Sequence, residues 1–357
     1  MSEKNIEKQN KKQPAACSNP AKKILTACLI ATTIVVAAGM WIIFPMLIEG
    51  ASSSAEIKIP KNANAQMVSD SISKYFGDSY ANKIMRFVKI QNIDLKARYG
   101  AYYIPKGTSA FKGMLILCRR GQTPEKFTIN HQRSLDAIAE RAAMKINCSP
   151  AEFRKAATDS TFLASLGLTQ SDILALFLDQ TYEIYWTATP QELLKKITDN
   201  YKIFWDEARR EKAASLGLSP GEVTVIASIA DEETNKKNEK GTIGRLYINR
   251  LKKGMKLQSD PTVRFALNDF TIKRVTTGHL SYDSPYNTYR YNGLPPGPIC
   301  TTSETTIDAI LDSEPSEYIY MCAREDFSGY HEFAVDYATH VQNALRYQHE
   351  LDRRGIH

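Results

Sequence analysis

The sequence predicts an α+β protein with a single N-terminal transmembrane helix, a small α+β module and a larger C-terminal α+β domain. Three observations lead to this prediction. An uncharged apolar run covers residues 24–48, short strand-like and helix-like patterns share residues 57–130, and capped helices alternate with proline-rich loops over residues 131–357. No internal repeat of fixed period interrupts this arrangement.

The charge of the chain and its distribution argue against a nucleic-acid-binding protein. The chain has 357 residues, 43% of them hydrophobic, and a net charge of +7 from 46 Lys and Arg against 39 Asp and Glu. Residues 1–23 hold six Lys and two Glu, so this tail carries +4 of the total. The remaining charge is too weak and too dispersed for a nucleic-acid surface, and no nucleic-acid partner is expected.

The apolar run at residues 24–48 predicts an uncleaved membrane anchor. As a helix its 25 residues would span roughly 37 Å, against about 30 Å for the hydrocarbon core of a bilayer. A secretory signal peptide is the alternative, but its apolar region is typically about 7–15 residues long. Lys22 and Lys23 precede the run and Glu49 follows it, so the positive-inside rule makes residues 1–23 a cytoplasmic tail. The rest of the chain is expected outside the cytoplasmic (inner) membrane.

The outer part is predicted to begin with a short linker, residues 49–56, which is small and polar. The small α+β module follows at residues 57–130. Its predicted elements are a strand at 57–59, helices at 64–75 and 79–91, a strand at 99–104 and a helix at 109–118. The larger domain, residues 131–357, has a helical part at 131–218, with helix starts marked by Ser149-Pro150 and Thr189-Pro190, and a motif-bearing part at 219–357.

Cysteine and histidine spacing gives no sign of a metal site. The outer cysteines, Cys118, Cys148, Cys300 and Cys322, match no CxxC or zinc pattern, and isolated thiols are the default expectation. The six histidines include no HExxH motif. Neither a metal nor a cofactor is therefore expected.

A predicted helix at residues 220–234 ends in three consecutive acidic residues, 231–233. Ser219 gives the helix an N-cap, followed by Pro and, three residues after the cap, Glu. At 100° per residue Glu233 lies within about 20° of the apolar Ile226, whereas the other two acids lie about 120–140° away. A carboxyl group on a buried face loses water, which raises its pKa and suits a proton donor. The alternative is a solvated acidic helix end.

The loops that follow are rich in amide and aromatic side chains. Asp260 can cap a helix opened by Pro261, but capping does not explain Gln258. The segments 284–289 and 293–299 contain too much Pro for a helix or an inner strand and are predicted to be rigid loops. Tyrosine rings and paired amide groups are what a sugar polymer needs for stacking and for hydrogen bonds to its hydroxyl and N-acetyl groups.

Five motifs in one order carry a family resemblance. They are Ala227-Ser228-Ile229 through Glu233-Thr234; Ile248-Asn249-Arg250-Leu251; Gly254-Met255 with Leu257-Gln258-Ser259-Asp260-Pro261-Thr262-Val263; Tyr286-Asn287-Thr288-Tyr289; and Gly293-Leu294-Pro295-Pro296-Gly297-Pro298-Ile299. With these motifs the chain resembles the MltG/YceG-like endolytic murein transglycosylases. Two departures are Asp231, where the family usually has Glu, and Asp179-Gln180-Thr181, where Pro-Asp-Thr is expected.

The resemblance implies a domain plan and an activity. It implies one membrane anchor, a LysM-like module at 57–130 and a catalytic transglycosylase domain at 131–357. It also implies a lyase that cleaves the bond between N-acetylmuramic acid (MurNAc) and N-acetylglucosamine (GlcNAc) inside nascent peptidoglycan strands. The product would be a 1,6-anhydroMurNAc end, which terminates strand elongation. The family's catalytic glutamate corresponds to Glu233, the residue that helical phase selects independently.

The remaining site residues are hypotheses. Gln258, Ser259, Asp260, Tyr286, Asn287 and Tyr289 are expected to hold the glycan, although Asp260 could either steady positive charge in the transition state or only cap its helix. His331 matches a His-x-Phe strand of the family, as a packing residue or as a second acid.

Expected partners are glycan strands, the membrane and cell-wall synthases. Two other functions remain open at this point: a hydrolytic muramidase with Asp260 as second carboxylate, and a membrane-anchored scaffold that binds glycan without cleaving it.

Overall fold

The protein is described by a computed structural model that covers residues 20–48, 50–119 and 121–355. The chain forms two compact units, Met1–Gln122 and Thr123–His357. Most of the predicted cytoplasmic tail lies outside the described residues, as do Glu49 and the last two residues. Helices and strands are mixed in both units, which confirms the α+β prediction.

The first helix of unit 1, α1 (Pro20–Ile48), contains the apolar run. Its segment Ala21–Trp41 is long and apolar enough to cross a membrane. None of the residues in the apolar window is buried inside the protein. These properties fit the predicted membrane anchor.

The rest of unit 1 is a β-α-α-β module followed by one helix. Its elements are β1 (Ala55–Ile59), α2 (Ala65–Phe76), α3 (Asp78–Ile90), β2 (Gly100–Ile104) and α4 (Ala110–Arg119), with a 3-10 turn at Leu95–Arg98. The two strands are antiparallel, and Ile57 pairs with Tyr102. Apolar side chains from both strands and all three helices form one core.

Two predicted boundaries of this module are corrected by its hydrogen bonds. The expected linker, residues 49–56, is part of the fold from Gly50 onward, because Ala51 is buried and exchanges backbone hydrogen bonds with Gly107 and Thr108. The expected end at residue 130 is too late. Residues 125–128 form a strand that pairs with residues 181–184 of unit 2, so they belong to that unit.

Unit 2 contains most of the helices and two antiparallel strand pairs. Its strands are β3 (Glu125–Thr128), β4 (Thr181–Ile184), β5 (Tyr320–Ala323) and β6 (His331–Ala334). β3 pairs with β4 and β5 with β6, and a short parallel bridge joins Leu178 to Thr302. Its helices are α5 (Leu135–Lys145), α6 (Pro150–Ala157), α7 (Ser160–Leu166), α8 (Pro190–Phe204), α9 (Glu207–Leu216), α10 (Pro220–Glu233), α11 (Lys240–Lys252), α12 (Asp260–Leu267), α13 (Thr277–Leu280), α14 (Glu304–Leu311) and α15 (Tyr337–Arg353), with a 3-10 turn at Ile173–Leu176.

The helix starts predicted from Ser-Pro and Thr-Pro are confirmed. Ser149, Thr189 and Ser219 each cap a helix through a reciprocal capping box with the glutamate three residues later. Each cap satisfies backbone N–H groups that the first helical turn cannot pair, which fixes where α6, α8 and α10 begin. For α10, the fixed start also determines where its acidic C-terminal end emerges.

Helix α10 lies at the centre of unit 2 and packs against α9, α11, α12 and α14. Residues 223–230 are buried without exception, so the helix has no solvent-facing side there. The prediction that α10 buries only one apolar face is therefore wrong, because neighbouring helices surround it. Its acidic end, residues 231–233, is partly buried.

The segment between α13 and α14 contains neither helix nor strand, as its proline content predicts. One contact explains why this loop needs a glycine at 297: a Cβ atom there would lie 1.9 Å from the backbone oxygen of Ser171. The loop therefore packs backbone against backbone on the turn that precedes Ile173–Leu176.

Candidate active site

Glu233 ends α10, and its carboxyl group is held by two hydroxyl donors. The Tyr247 hydroxyl of α11 donates to Oε1 at 2.8 Å, and the Ser259 hydroxyl donates to the same oxygen at 2.5 Å. Among the described residues nothing donates to Oε2. The two bonds therefore fix the orientation of the carboxyl group and leave one oxygen available to carry a proton.

Glu233 lines a cavity of about 240 Å³ that gathers most of the predicted site. Of the predicted residues, Glu233, Gln258, Asp260, Tyr289 and His331 line it. The other lining residues are Leu246, Tyr247, Arg250, Leu257, Met321, Cys322 and Ala323. α10, α11, the 257–260 segment and the β5–β6 pair thus bring side chains from distant parts of the sequence into one space.

Burial raises the pKa of Glu233 above that of an ordinary glutamate. The hydrogen bonds from Ser259 and Tyr247 oppose this rise in pKa, as does the electrostatic effect of His331, while that of Asp260 adds to it. Burial prevails, so the protonated form persists to a higher pH than in water. A carboxyl group in this state can act as a general acid and afterwards, once ionised, as a base.

Asp260 faces the same cavity but has a different partner from the one predicted. Helix α12 begins at Asp260, with Ser259 in the N-cap position, so the expectation that Asp260 caps the helix is wrong by one residue. Its carboxylate instead accepts a hydrogen bond of 2.7 Å from the Tyr289 hydroxyl. Burial, together with this bond, raises the pKa of Tyr289, which keeps the hydroxyl protonated as a donor.

Gln258 and His331 stand at two further edges of the cavity. Gln258 is exposed and adopts a left-handed backbone conformation, with φ of 53°, which few residues other than glycine adopt. His331 begins β6, and Glu239 accepts a hydrogen bond from its backbone N–H at 2.7 Å and contacts its Nδ1 at 3.1 Å. These bonds support the packing alternative for His331; its role as a second acid stays a prediction.

Tyr286 and Asn287 lie outside the cavity lining. Asn287 is fully buried, and its amide bonds the backbone of Leu280, Tyr282 and Tyr289, which organises the loop that carries Tyr289. The Tyr286 ring packs against a phenylalanine of α12, and its hydroxyl donates to a backbone oxygen. Their contacts are those of a loop scaffold, and direct binding of a ligand by either residue stays a prediction.

The two acids next to Glu233 are bound elsewhere. Asp231 accepts from Lys240 at 2.5 Å and from the hydroxyls of Thr302 and Thr306. Glu232 receives two bonds from Arg133, at 2.6 and 2.9 Å, and lies 3.0 Å from His131. Burial would raise the pKa of Glu232, but these partners outweigh it and lower the pKa to about 2. Among the described residues, Glu233 is thus the acid of the triplet that forms no salt bridge.

Two other features of unit 2 could hold a ligand. A larger cavity, of about 650 Å³, lies at the opposite end of α10 beside Ser219 and Gly221, but its described lining residues include no unpaired buried acid. His131, Glu232 and Cys300 place potential metal ligand atoms within 4.8 Å of one another. The Arg133 guanidinium, however, already occupies both oxygens of Glu232. The cavity of Glu233 is therefore the candidate active site among the described residues.

Of the lining residues that sequence reasoning did not assign to the site, Tyr247 carries a hydroxyl group and Arg250 a charge. Both belong to α11 at a spacing of three, which puts them on one helix face. The sequence offered a signal, because a hydroxyl group and a cation stand on a face that is otherwise apolar. Polar groups on a buried face need partners, and for Tyr247 that partner is Glu233.

If Glu233 acts as a general acid, replacing Tyr247 by Phe is expected to move the pH dependence of the reaction. The change removes a donor that favours the carboxylate, so the pKa of Glu233 rises further. A general acid works below its pKa, and the alkaline limb of the kcat/KM profile should therefore shift upward by about one pH unit. The control is Tyr201→Phe in α8, a buried tyrosine outside the cavity. An unmoved limb, or one shifted to lower pH, contradicts the assigned hydrogen bond.

Known proteins share both the sequence pattern and the fold. The sequence model of the YceG-like family matches residues 57–346. A Bacillus subtilis protein named endolytic murein transglycosylase is 33% identical over 134 residues, which cover 38% of this chain and 36% of that protein. A Streptococcus pneumoniae protein of the same name is 23% identical over 303 residues, 75% of this chain and 54% of its relative.

A solved structure confirms the architecture. The crystal structure of a YceG-like protein from Listeria monocytogenes superposes with a TM-score of 0.56 at 24% identity, over 82% of this chain and 99% of that one. At this identity the likeness concerns the fold. The chain spans about a third to a half of the length of the two curated relatives described above. Because the family's sequence model covers most of the chain, from the first strand into the last helix, this protein belongs to the YceG-like family.

Proposed function

We propose that the protein is an endolytic peptidoglycan lytic transglycosylase, a lyase that cleaves the MurNAc–GlcNAc bond within nascent glycan strands and leaves 1,6-anhydroMurNAc ends. The observation that carries the proposal is the partly buried carboxyl group of Glu233, with raised pKa, two donors on Oε1 and none among the described residues on Oε2, in a cavity lined by polar side chains. The names of the relatives from Bacillus subtilis and Streptococcus pneumoniae support the same activity.

The proposed mechanism needs a single carboxyl group. Protonated Glu233 donates from Oε2 to the glycosidic oxygen as the bond to C1 breaks. The resulting carboxylate then accepts the proton of the muramyl C6 hydroxyl, whose oxygen attacks C1 and closes the anhydro ring. Because this nucleophile belongs to the same sugar, no activated water is required. Tyr247 and Ser259 donate to Oε1 throughout and stabilise the carboxylate between the two steps.

Residues around Glu233 are assigned to the glycan. Gln258, Asp260 and Tyr289 line the cavity and would contact the sugar, with Asp260 near enough to influence the pKa of Glu233 and to steady positive charge at C1. Ser259 acts through Glu233 and is a positioning residue. Tyr286 and Asn287 would act through the loop they organise.

A hydrolytic muramidase is the second candidate, because Asp260 shares the cavity with Glu233. Hydrolysis usually uses two carboxylates, one as acid and one as base or nucleophile. The hydrogen bond from Tyr289 occupies one oxygen of Asp260, which argues against a base role.

Mass spectrometry of glycan products tests the proposal directly. Incubation of the full chain with purified peptidoglycan strands is expected to give fragments whose muramyl ends are 1,6-anhydro and therefore one water lighter than reducing ends. Internal fragments of several disaccharide units are expected if cleavage is endolytic. Reducing ends would identify the muramidase instead, and unchanged strands would identify a glycan-binding scaffold; either result overturns the proposal.

The proposed location and module follow from unit 1. We assign α1 as a single-pass anchor in the cytoplasmic membrane, with the N-terminal tail in the cytoplasm and the rest outside, where nascent strands and cell-wall synthases would be its partners. We assign the β-α-α-β part of unit 1 as a LysM-like module, and its strand order and antiparallel pairing support this assignment. Residues 123–355 would then form the catalytic domain.

A further inference from the structure

Arg250 is a buried cation in the wall of the candidate cavity. Its side chain and backbone together are only 8% exposed. Nε donates to the backbone oxygen of Ile319 at 2.6 Å, and Nη1 donates to those of Leu257 at 2.7 Å and Lys256 at 3.3 Å. Three neutral carbonyl groups therefore fix the plane of the guanidinium group, and its rotation would break all of them.

The third nitrogen, Nη2, has no hydrogen-bond acceptor among the described residues. No described carboxylate lies within 4.0 Å of the guanidinium group either, although Glu233 and Asp260 line the same cavity. The charge of Asp260 is engaged by Tyr289, and Glu233 has a raised pKa. A buried charge is costly unless it is paired, and an arginine cannot escape the cost by losing its proton. Arg250 thus places a positive charge in the cavity beside the proposed acid, and no described carboxylate pairs with that charge.

We propose that Nη2 of Arg250 binds a carboxylate carried by the muramyl residue of the glycan. The inference rests on the proposed function and goes beyond it, because it names a group of the substrate that the cavity selects. Guanidinium groups bind carboxylates with strong charge-assisted hydrogen bonds. The sugar backbone itself is neutral, and the lactyl ether of MurNAc is the substituent that brings a carboxyl group.

Two sources can supply that carboxylate. In a strand without peptides the lactyl carboxyl group is free and ionised. In a strand with stem peptides it is an amide, and the nearest carboxylate is the first free carboxyl group of the peptide, for which a lactyl-L-alanine acid is the shortest representative. The rigid placement of Arg250 selects one distance from the sugar ring, so one of the two sources is expected to bind and the other not.

Binding to the cleavage-deficient Glu233→Gln chain tests the proposal without turnover. The ligands are two matched pairs built on the tetrasaccharide (GlcNAc-MurNAc)₂: the free lactyl acid against its methylamide, and the lactyl-L-alanine acid against its L-alanine amide. Calorimetry on the full chain in detergent is expected to show about tenfold or greater preference for the acid in one pair. Equal affinities in both pairs, including no measurable binding in either, overturn the proposal.

Variants on α11 assign the preference to Arg250. Arg250→Gln should abolish the preference for the acid, and Arg250→Lys, which keeps the charge, should retain part of it. Arg245→Gln is the matched control, because Arg245 lies on the same helix and also donates to a backbone oxygen, but does not line the cavity. Near-UV circular dichroism reports whether each variant is folded; the ligand pairs alone decide the proposal if Arg250→Gln does not fold.

The proposed function and this inference can fail separately. Anhydro products together with equal affinities would leave the transglycosylase in place and remove the carboxylate site. Strands left uncut by the wild-type chain, together with a clear acid preference, would remove the activity and leave a carboxylate-binding cavity. Salt should weaken a genuine acid preference, since it screens the charge interaction.

Discussion

Glu233→Gln is expected to lower kcat/KM for glycan cleavage by about 10²–10⁴-fold, the range that a general acid contributes. The loss corresponds to about 3–5 kcal/mol of transition-state stabilisation. The amide keeps the shape of the side chain, and its oxygen can still accept from Tyr247 and Ser259, but it has no proton to give to the leaving oxygen. Initial rates of fragment release from purified strands measure the effect.

The same variant should be at least as stable as the wild type at neutral pH. The pKa of Glu233 is raised in the folded state, so its protonation stabilises the fold below the unfolded value of about 4.3. That contribution is lost as pH rises through the folded pKa. The glutamine side chain has no such proton to lose, and thermal denaturation at pH 7 should therefore show an equal or higher Tm.

A matched control shares the helix and the substitution. Glu222 occupies the first turn of α10, is exposed and completes the capping box with Ser219. Glu222→Gln can still complete that box, so both activity and Tm should stay near wild type. Activity of Glu233→Gln within tenfold of wild type would refute the assignment of the acid.

The sequence was sufficient to single out Glu233 as the candidate acid, but not to predict its surroundings. Helical phase selected Glu233 on the premise of a one-sided helix, whereas α10 is buried on all sides. Helical phase still places Glu233 on the same side of α10 as Ile226, even though this helix has no exposed face. What distinguishes the three acids is their partners, and those lie 9 to 101 residues away in the chain.

Predictions from neighbouring residues failed where a side chain forms its hydrogen bond with a partner distant in the sequence. Asp260 stands before a Pro, which predicts a cap, but a tyrosine 29 residues later takes its carboxylate. Asn287 belongs to a motif of sugar-binding composition, yet its amide is used to fold its own loop. Capping boxes were predictable because their partners lie within three residues; the arrangement of the cavity depends on tertiary contacts that one sequence does not reveal.

Asp231→Asn is expected to destabilise unit 2 by about 3–5 kcal/mol, because it removes one partner of a buried ion pair. The carboxylate of Asp231 binds Lys240 at 2.5 Å, and its side chain is 8% exposed. The asparagine cannot neutralise Lys240, and its NH₂ group cannot accept a hydrogen bond from a threonine hydroxyl. For a domain of this size the loss corresponds to a Tm lower by about 6–20 °C.

The activity of the folded Asp231→Asn variant shows whether the carboxylate of Asp231 stabilises the fold or takes part in catalysis. Because Asp231 does not line the cavity of Glu233, cleavage at a temperature well below the Tm should stay within a few-fold of wild type. Asp199→Asn is the control for stability: Asp199 forms an exposed pair with Lys195 at the same distance of 2.5 Å, and such pairs are worth about 0–1 kcal/mol. Because the two ion pairs have the same distance, the difference in Tm between the two variants reports the effect of burial. If the folded variant lost as much activity as Glu233→Gln, Asp231 would instead be a second catalytic carboxylate. That result would favour the hydrolytic muramidase.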